Sequence, residues 1–426
     1  MVDLEDLKLK AKNIRRNIVE MVYSASSGHP GGSLSVADIM TALYFTEVNV
    51  DVNNPKDENR DRVVLSKGHC SPALYSTLAE KGFFDKKDFV LKKIKVSGNG
   101  RCNFANKNYL NGNYSNTDFV NPILKDFDHI QIINFFNELG IKETNIDDLY
   151  YPHSLSSLTV FNKLKDELDK LGVKFIDEKI NAYIKNKSSY LLNNKYEFDI
   201  VVFATGGKSS PKLGSDGSLF LEFKKHGYQI NDLYPGLTPI KIKENVKELD
   251  GVRMKSYVKL IADNKIYYEE DGEILFKKDG LSGIAIMNAS SIVSRNKLDN
   301  ASIHLDFIKD DELLICSTPK ELYEAYVHPK LINYLLKIES KDVNKAIKLL
   351  KDLKFAYKDN YGFEFSQVTV GGIRVNNLTN YLESKIENNI YFVGEVIDVD
   401  AICGGYNLMW AFASSYRVYK YLTKGE

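Results

Sequence analysis

The stretch that most restricts how this chain can fold is Ile390 to Leu408, I-Y-F-V-G-E-V-I-D-V-D-A-I-C-G-G-Y-N-L. Ile390 to Val393 has the length and the aromatic and β-branched content of a buried strand, and it stops at Gly394 and Glu395. Gly404 and Gly405 then permit a close backbone approach. Asn407 is placed to cap a helix that continues through Leu408, Trp410, Ala411 and Ala413. Strand end, carboxylate, glycine turn and helix N-terminus together aim a dipole and free N–H groups at an electron-rich ligand. The same order also describes an ordinary strand-loop-helix, so the spacing alone names no ligand.

The rest of the chain sets outer limits. Its 426 residues suffice for roughly two or three domains. Lys plus Arg and Asp plus Glu both number 57, so no global field draws the chain to nucleic acid or to a membrane surface, and a small-molecule substrate is the expected partner. Oligomeric state is not legible. Cys70, Cys102, Cys316 and Cys403 are far apart and form no C-x-x-C, which argues against a disulfide framework or a zinc site and favours a reducing cytoplasm. The first residues lack the apolar core of a signal peptide, and no run approaches the ~18 apolar residues of a membrane span.

Leu4, Leu7, Ala11, Ile14, Ile18, Met21 and Val22 recur at helical spacing. A turn, S-S-G-H-P-G-G-S-L-S, follows around His29, and Ser35 is placed to cap a second apolar helix. A short strand at Val63 to Leu65 leads to a second glycine-histidine turn around His69. Histidines held in such turns can donate to phosphate or move protons near neutral pH, although a loop histidine is more often simply solvated. The blocks S-S-G-H-P-G-G-S-L-S and L-S-K-G-H-C-S-P-A-L-Y resemble the N-terminal segment of transketolases, over about residues 4 to 88. That resemblance implies that His29 and His69 lie at a thiamine diphosphate and substrate channel. The G-D-G block and downstream Asn that would hold the Mg²⁺ of that cofactor are absent, as is the pyrimidine-binding domain.

From about Val90 the sequence changes character. Ile94 to Val96 before Gly98-Asn99-Gly100 looks like a strand entering a Rossmann glycine turn, but the following F-A-N-K-N-Y-L-N-G-N is a loop and not the helix that turn requires. Helices are expected at Ile130 to Leu139 and through Val160, Leu164, Leu168 and Leu171, the latter followed by a strand at Val173 to Ile176. Phe198 to Ala204 reads as a buried strand ending at Thr205-Gly206-Gly207. The set S-G-N-G-R-C-N, Y-P-H-S, A-T-G-G-K-S-S-P-K-L-G-S-D-G, P-G-L-T-P-I, G-L-S-G-I, Q-V-T-V-G-G-I, E-S-K and Y-F-V-G-E-V-I-D-V-D-A-I-C-G-G-Y-N-L resembles an FAD-dependent oxidoreductase family that includes aminoacetone oxidases and bile-acid-pathway flavoproteins. The likeness runs over about residues 91 to 426, with Ile284 where the family has Pro.

The resemblances imply an α/β chain in three parts. A mainly helical transketolase-like fragment spans 1–90. An incomplete FAD-binding Rossmann-like domain spans 91–236 and 360–426. An inserted β-rich substrate domain with a helical segment near Lys330 to Leu353 spans 237–359. The flavoprotein resemblance implies FAD contacts from Gly98, Gly100, Arg101, Asn103, Thr205, Gly206, Gly207, Gly394, Glu395, Gly404, Gly405, Tyr406, Asn407 and Leu408, with NAD(P)H as hydride donor. In it Glu395 accepts from a ribityl or ribose hydroxyl, and the turn before Asn407 faces the ring. It names no catalytic residue and no metal. The first strand and its G-x-G-x-x-G, which would cradle the pyrophosphate, are missing, and the transketolase-like piece stands in their place. A join near residues 88–92 follows, with FAD binding impaired. The alternatives are a thiamine-diphosphate transferase fragment and a non-catalytic fusion.

Overall fold

In the computed structural model, residues 3–25, 30–52, 54–55, 57–65, 70–83, 91–110, 114–309 and 313–424 are described. They form two compact units, Met1–Lys92 and Lys93–Glu426. The fold is mixed α/β, with a helical N-terminal segment, a Rossmann-like part and a β-rich part.

The first unit is built on helices Leu4–Ala25, Pro30–Ala42 and Ser71–Lys81. Ile14 and Ile18 from the first, Ala37 from the second and Ala73 from the third meet in one small core. The second helix begins at Pro30, because proline's fixed φ and missing N–H suit a first turn. Ser35 therefore lies inside the helix, its hydroxyl donating to Gly32 O at 2.8 Å, and does not cap it. No strand forms at 63–65. His29 and His69 lie outside the described residues.

In the second unit the strand Val201–Phe203 runs parallel to Ile390–Phe392, in register Ile390↔Val201 through Phe392↔Phe203. Both are β-branched and aromatic, and Ile390, Tyr391 and Phe392 are buried. The run expected as one strand from Phe198 divides in two: Tyr196–Phe198 belongs instead to an antiparallel meander with Tyr183–Asn186 and Ser189–Leu192. No strand forms at 173–176, and Lys92–Val96 is a short helix rather than a strand. The last helix, Tyr406–Lys424, packs on Thr117–Asp126 and His129–Glu138.

Between the two central strands in sequence lies a closed six-stranded barrel: Ile240–Ile242, Arg253–Ala262, Lys265–Lys277, Gly280–Ser282, Ser302–Asp306 and Leu353–Asn360. Alternate residues Val258, Leu260, Ile274, Phe276, Ile303, Leu305 and Phe355 fill it. The helix Ile284–Asn296 packs on its strands, and Pro319–Tyr326, Pro329–Ile338 and Val343–Lys351 add a helical layer. Its interior alternation was legible as short strands in the sequence; its closure was not, since period-2 patterning is the same in an open sheet.

One buried carboxylate ties the meander to the segment entering the C-terminal strand. Glu387 accepts from Tyr183 Oη at 2.8 Å and Tyr228 Oη at 3.0 Å, and lies 3.1 Å from His226 Nδ1. Burial, with Tyr228 and Glu387 beside it, holds the Tyr183 phenol far above its ordinary pKa. Removing Glu387 leaves the buried Tyr183 phenol without its acceptor and Tyr228 with Ser384 Oγ alone. Glu387→Ala is expected to lower unfolding free energy by about 3 kcal/mol in urea titrations, and a loss below about 0.5 kcal/mol contradicts this assignment.

Candidate functional site

The carboxyl ends of the two parallel strands open onto the loops 204–210 and 393–405, where ligands of open α/β sheets are held. Gly394 begins a short 3₁₀ turn, and its N–H donates to Ser414 Oγ at 2.9 Å. Its carbonyl accepts from Nε1 of Trp410 at 3.0 Å, so the only tryptophan of the chain reports on this corner. Glu395 Oε1 accepts from Thr369 N at 2.8 Å, and its Oε2 lies 3.6 Å from Lys93 Nζ.

The Thr205-Gly206-Gly207 loop passes directly over these groups. A Cβ on Gly207 would overlap the Thr369 hydroxyl and come within 2.7 Å of Glu395 Oε1. That hydroxyl also accepts from Lys208 N at 2.8 Å and Ser209 N at 3.1 Å. Thr369 thus positions the loop and the carboxylate together, and nothing in the spacing of Q-V-T-V-G-G-I singled it out.

The turn before the last helix is fixed from three directions. Asn106 Nδ2 donates to Gly404 O at 3.0 Å, and Tyr114 Oη donates to Tyr406 O at 2.7 Å. In the amide orientation that satisfies its neighbours, Asn103 accepts from Gly405 N at 3.1 Å and donates to Ala105 O and Tyr150 O. Asn103 therefore spends its carboxamide on the turn. Gly405, at φ +86°, lies so close that a Cβ would stand 2.6 Å from the Asn103 carboxamide.

Asn407 is not the helix cap. The helix starts at Tyr406, and the Asn407 carboxamide clamps Ala401, accepting from its N–H and donating to its carbonyl, both at 3.0 Å. Tyr406 turns inward, 5% exposed, its ring edge-on to Tyr114. Leu408 is half-buried in the first turn. The first-turn N–H groups of this 19-residue helix have no intrahelical acceptor, so its positive end is what the turn presents.

Gly98 and Gly100 shape a tight loop at φ +55° and +82°, closed by Cys102 N donating to Ser97 O. Arg101 is exposed, its guanidinium 5.6 Å from the centre of the Tyr151 ring. The Cys102 thiol is fully buried and pushed up to about 11 by that burial, a core residue in its surroundings.

The barrel supplies a wall that no motif announced. Asn288, 1% exposed on Ile284–Asn296, accepts from Cys403 N at 2.9 Å. Its amide nitrogen lies 3.0 Å from both Tyr268 Oη and Glu270 Oε2, and the Tyr268 phenol donates to Glu270. Burial first, and Glu270 second, raise the Tyr268 pKa; burial raises the Cys403 thiol to about 12. Tyr268 and Glu270 sit two apart on one strand face, a spacing shared by every strand pair. A second bridge joins the same helix to the turn: Arg295 pairs with the buried carboxylates Asp398 and Asp400, and Asn231 donates to Asp398 at 2.6 Å.

The residues present fit one half of a flavin dinucleotide. A glycine turn at a helix N-terminus, a strand-end carboxylate and a close-passing Gly207 suit a ring and its ribityl chain. For the pyrophosphate and adenosine half, the described residues of this unit offer no strand-turn-helix beside Val201–Phe203, whose other edge is unpaired among them.

Residues 70–421 match the HI0933-like protein Rossmann domain family, and residues 7–99 match the transketolase thiamine diphosphate binding domain. The chain is 28% identical over 373 residues to the 3-dehydro-bile acid delta(4,6)-reductase of Clostridium scindens, covering 79% of this chain and 91% of that protein. It is 28% identical over 356 residues to the ribosomal RNA dihydrouridine synthase of Escherichia coli, covering 76% of this chain and 87% of that protein. It is also 47% identical over 85 residues to an apulose-4-phosphate transketolase chain of Phocaeicola vulgatus, covering 20% of this chain and 30% of that protein.

Gly405→Ala strains a left-handed residue and drives a methyl group into Asn103. It is expected to cost about 2 kcal/mol in thermal or urea unfolding and to shift the emission of Trp410; an unaltered melting curve and spectrum would contradict the described packing.

Proposed function

This chain belongs to the HI0933-like Rossmann-domain family, and on that premise we propose that it is a flavin-dependent oxidoreductase that adds hydrogen to a carbon–carbon double bond conjugated to a carbonyl, with NADH or NADPH as donor. The names of the bile-acid reductase and the dihydrouridine synthase both describe the saturation of such a double bond. The transketolase-like segment spans less than a third of the transketolase protein it resembles, so that protein's chemistry is not carried into the proposal.

The observation that carries the reading is the convergence of Tyr268 and Glu270 on the Asn288 amide nitrogen, while the Asn288 oxygen accepts from Cys403 N at the turn that presents the last helix's positive end. When bound, a flavin supplies hydride. Saturating a conjugated double bond also needs a proton at the carbon next to the carbonyl, from a donor that stays protonated until the enolate forms. Tyr268 meets that condition, because burial and Glu270 both favour its neutral phenol. Asn288 holds Tyr268 and Glu270 together and ties them to the turn, Glu270 accepts from the phenol and keeps it oriented, and the proton given to the substrate is replaced from solvent.

Two half-reactions separate these roles. With flavin bound and oxygen excluded, NADH or NADPH is expected to bleach the visible flavin band, and 2-cyclohexen-1-one is expected to restore it. Tyr268→Phe is expected to leave bleaching intact and to slow restoration by about 10²-fold or more, with the wild-type restoration rate flat above neutrality until the phenol ionises. No bleaching sinks the proposed function; equal restoration in the variant removes Tyr268 from it.

A further inference from the structure

Lys93 is a cation with an unfinished environment. Its Nζ is shielded from solvent and, among the described residues, makes no hydrogen bond and has one charged neighbour, Glu395 Oε2 at 3.6 Å. It stands at the mouth of the Thr205-Gly206-Gly207 loop, 3.9 Å from where a Cβ of Gly206 would be. A desolvated ammonium with three unmet donors is costly unless an anion with several acceptors completes it.

The second observation concerns what lies beyond. A dinucleotide lies across the ends of a parallel sheet, its pyrophosphate on a helix N-terminus that follows the neighbouring strand. Here Val201–Phe203 has Ile390–Phe392 on one edge and, among the described residues, no strand on the other. Ile200 and Val202 are 45% and 44% exposed, where a strand covered on both sides would be buried. Among the described residues of this unit, an adenosine half laid along that edge would meet no strand-turn-helix to hold it.

We infer that the flavin site of this chain is a mononucleotide site: it takes FMN about as well as FAD, with Lys93 receiving the phosphate at the end of the ribityl chain. The inference rests on the flavoprotein reading above and adds which flavin is held and by what. Glu395 and Lys93 stand side by side, so an acceptor for ribityl hydroxyls and a cation for the phosphate occur together at the strand ends. Glu395 keeps the Thr369 N–H on its other oxygen, and the approaching phosphate takes the ammonium in its place.

The test is a binding titration of the full chain, stripped of flavin, with riboflavin, FMN and FAD, followed by quenching of Trp410. FMN and FAD are expected to bind within about tenfold of each other, and riboflavin at least about tenfold more weakly than FMN. Lys93→Met is expected to bring FMN down to riboflavin's affinity while leaving riboflavin unchanged, and Lys93→Arg to restore the preference for FMN. FAD binding more than about tenfold tighter than FMN overturns the inference and leaves the flavoprotein reading standing. Equal losses for riboflavin and FMN in Lys93→Met also overturn it, since they mark a merely structural lysine. Binding of none of the three flavins overturns both.

Discussion

The parallel pairing of Val201–Phe203 with Ile390–Phe392 is the contact from which the rest of the second unit takes its positions. Two strands about 190 residues apart in sequence end at the same level, and a glycine, Gly206 or Gly394, follows each within its loop, so two loops meet over one small area. Thr369 and Glu395 then fix those loops to one another through the hydroxyl, the carboxylate and three backbone N–H groups. The long interval between the strands is taken up by the barrel, a structure with no sheet edge of its own. Its contribution to the site is confined to a few side chains. Asn288 and Arg295, both on Ile284–Asn296, reach the turn that starts the last helix.

That arrangement accounts for the polar groups kept in a mostly apolar region. Asp398 and Asp400 are buried, and each would be costly alone; Arg295, Asn231 and Ser115 compensate them. Asn103, Asn106, Tyr114 and Asn407 together hold a glycine turn that has little side-chain packing of its own. A rigid turn keeps the positive end of the last helix aimed at one place, which is what an electron-rich ring needs.

Much of this was readable from residue order. Strand, Gly394-Glu395, double glycine and helix appear in the sequence as they appear in space, because each is set by local propensity and by glycine's conformational freedom. Asn407 reads as a cap in the sequence because a capping residue and a residue that clamps its own preceding loop have the same chemistry; only the start of the helix at Tyr406 tells them apart. Asn103 stood out in S-G-N-G-R-C-N, but its partner, Gly405, lies three hundred residues away and cannot be inferred from spacing. Tyr268, Glu270, Asn288, Thr369 and Lys93 went unseen for the same reason. Each matters through a neighbour brought near by barrel closure or strand pairing, and none lies in a pattern that differs from ordinary strand or helix sequence. The segment 84–90, which contains part of the join expected from the sequence, lies outside the described residues, and residues 70–99 are matched by both families.

Among the described residues Val201–Phe203 has one partner strand, and the mononucleotide reading of the site depends on that open edge. Backbone amide exchange resolved to single residues tests it most directly. In a parallel ladder alternate residues point their N–H groups to opposite edges, and Val201 N already donates to Asn389 O. The amides of Val201 and Phe203 are predicted to exchange slowly, protected by Ile390–Phe392, and that of Val202 to exchange as fast as an open strand edge. Protection of Val202 equal to that of Phe203 would mean that the edge is covered, and would contradict the account.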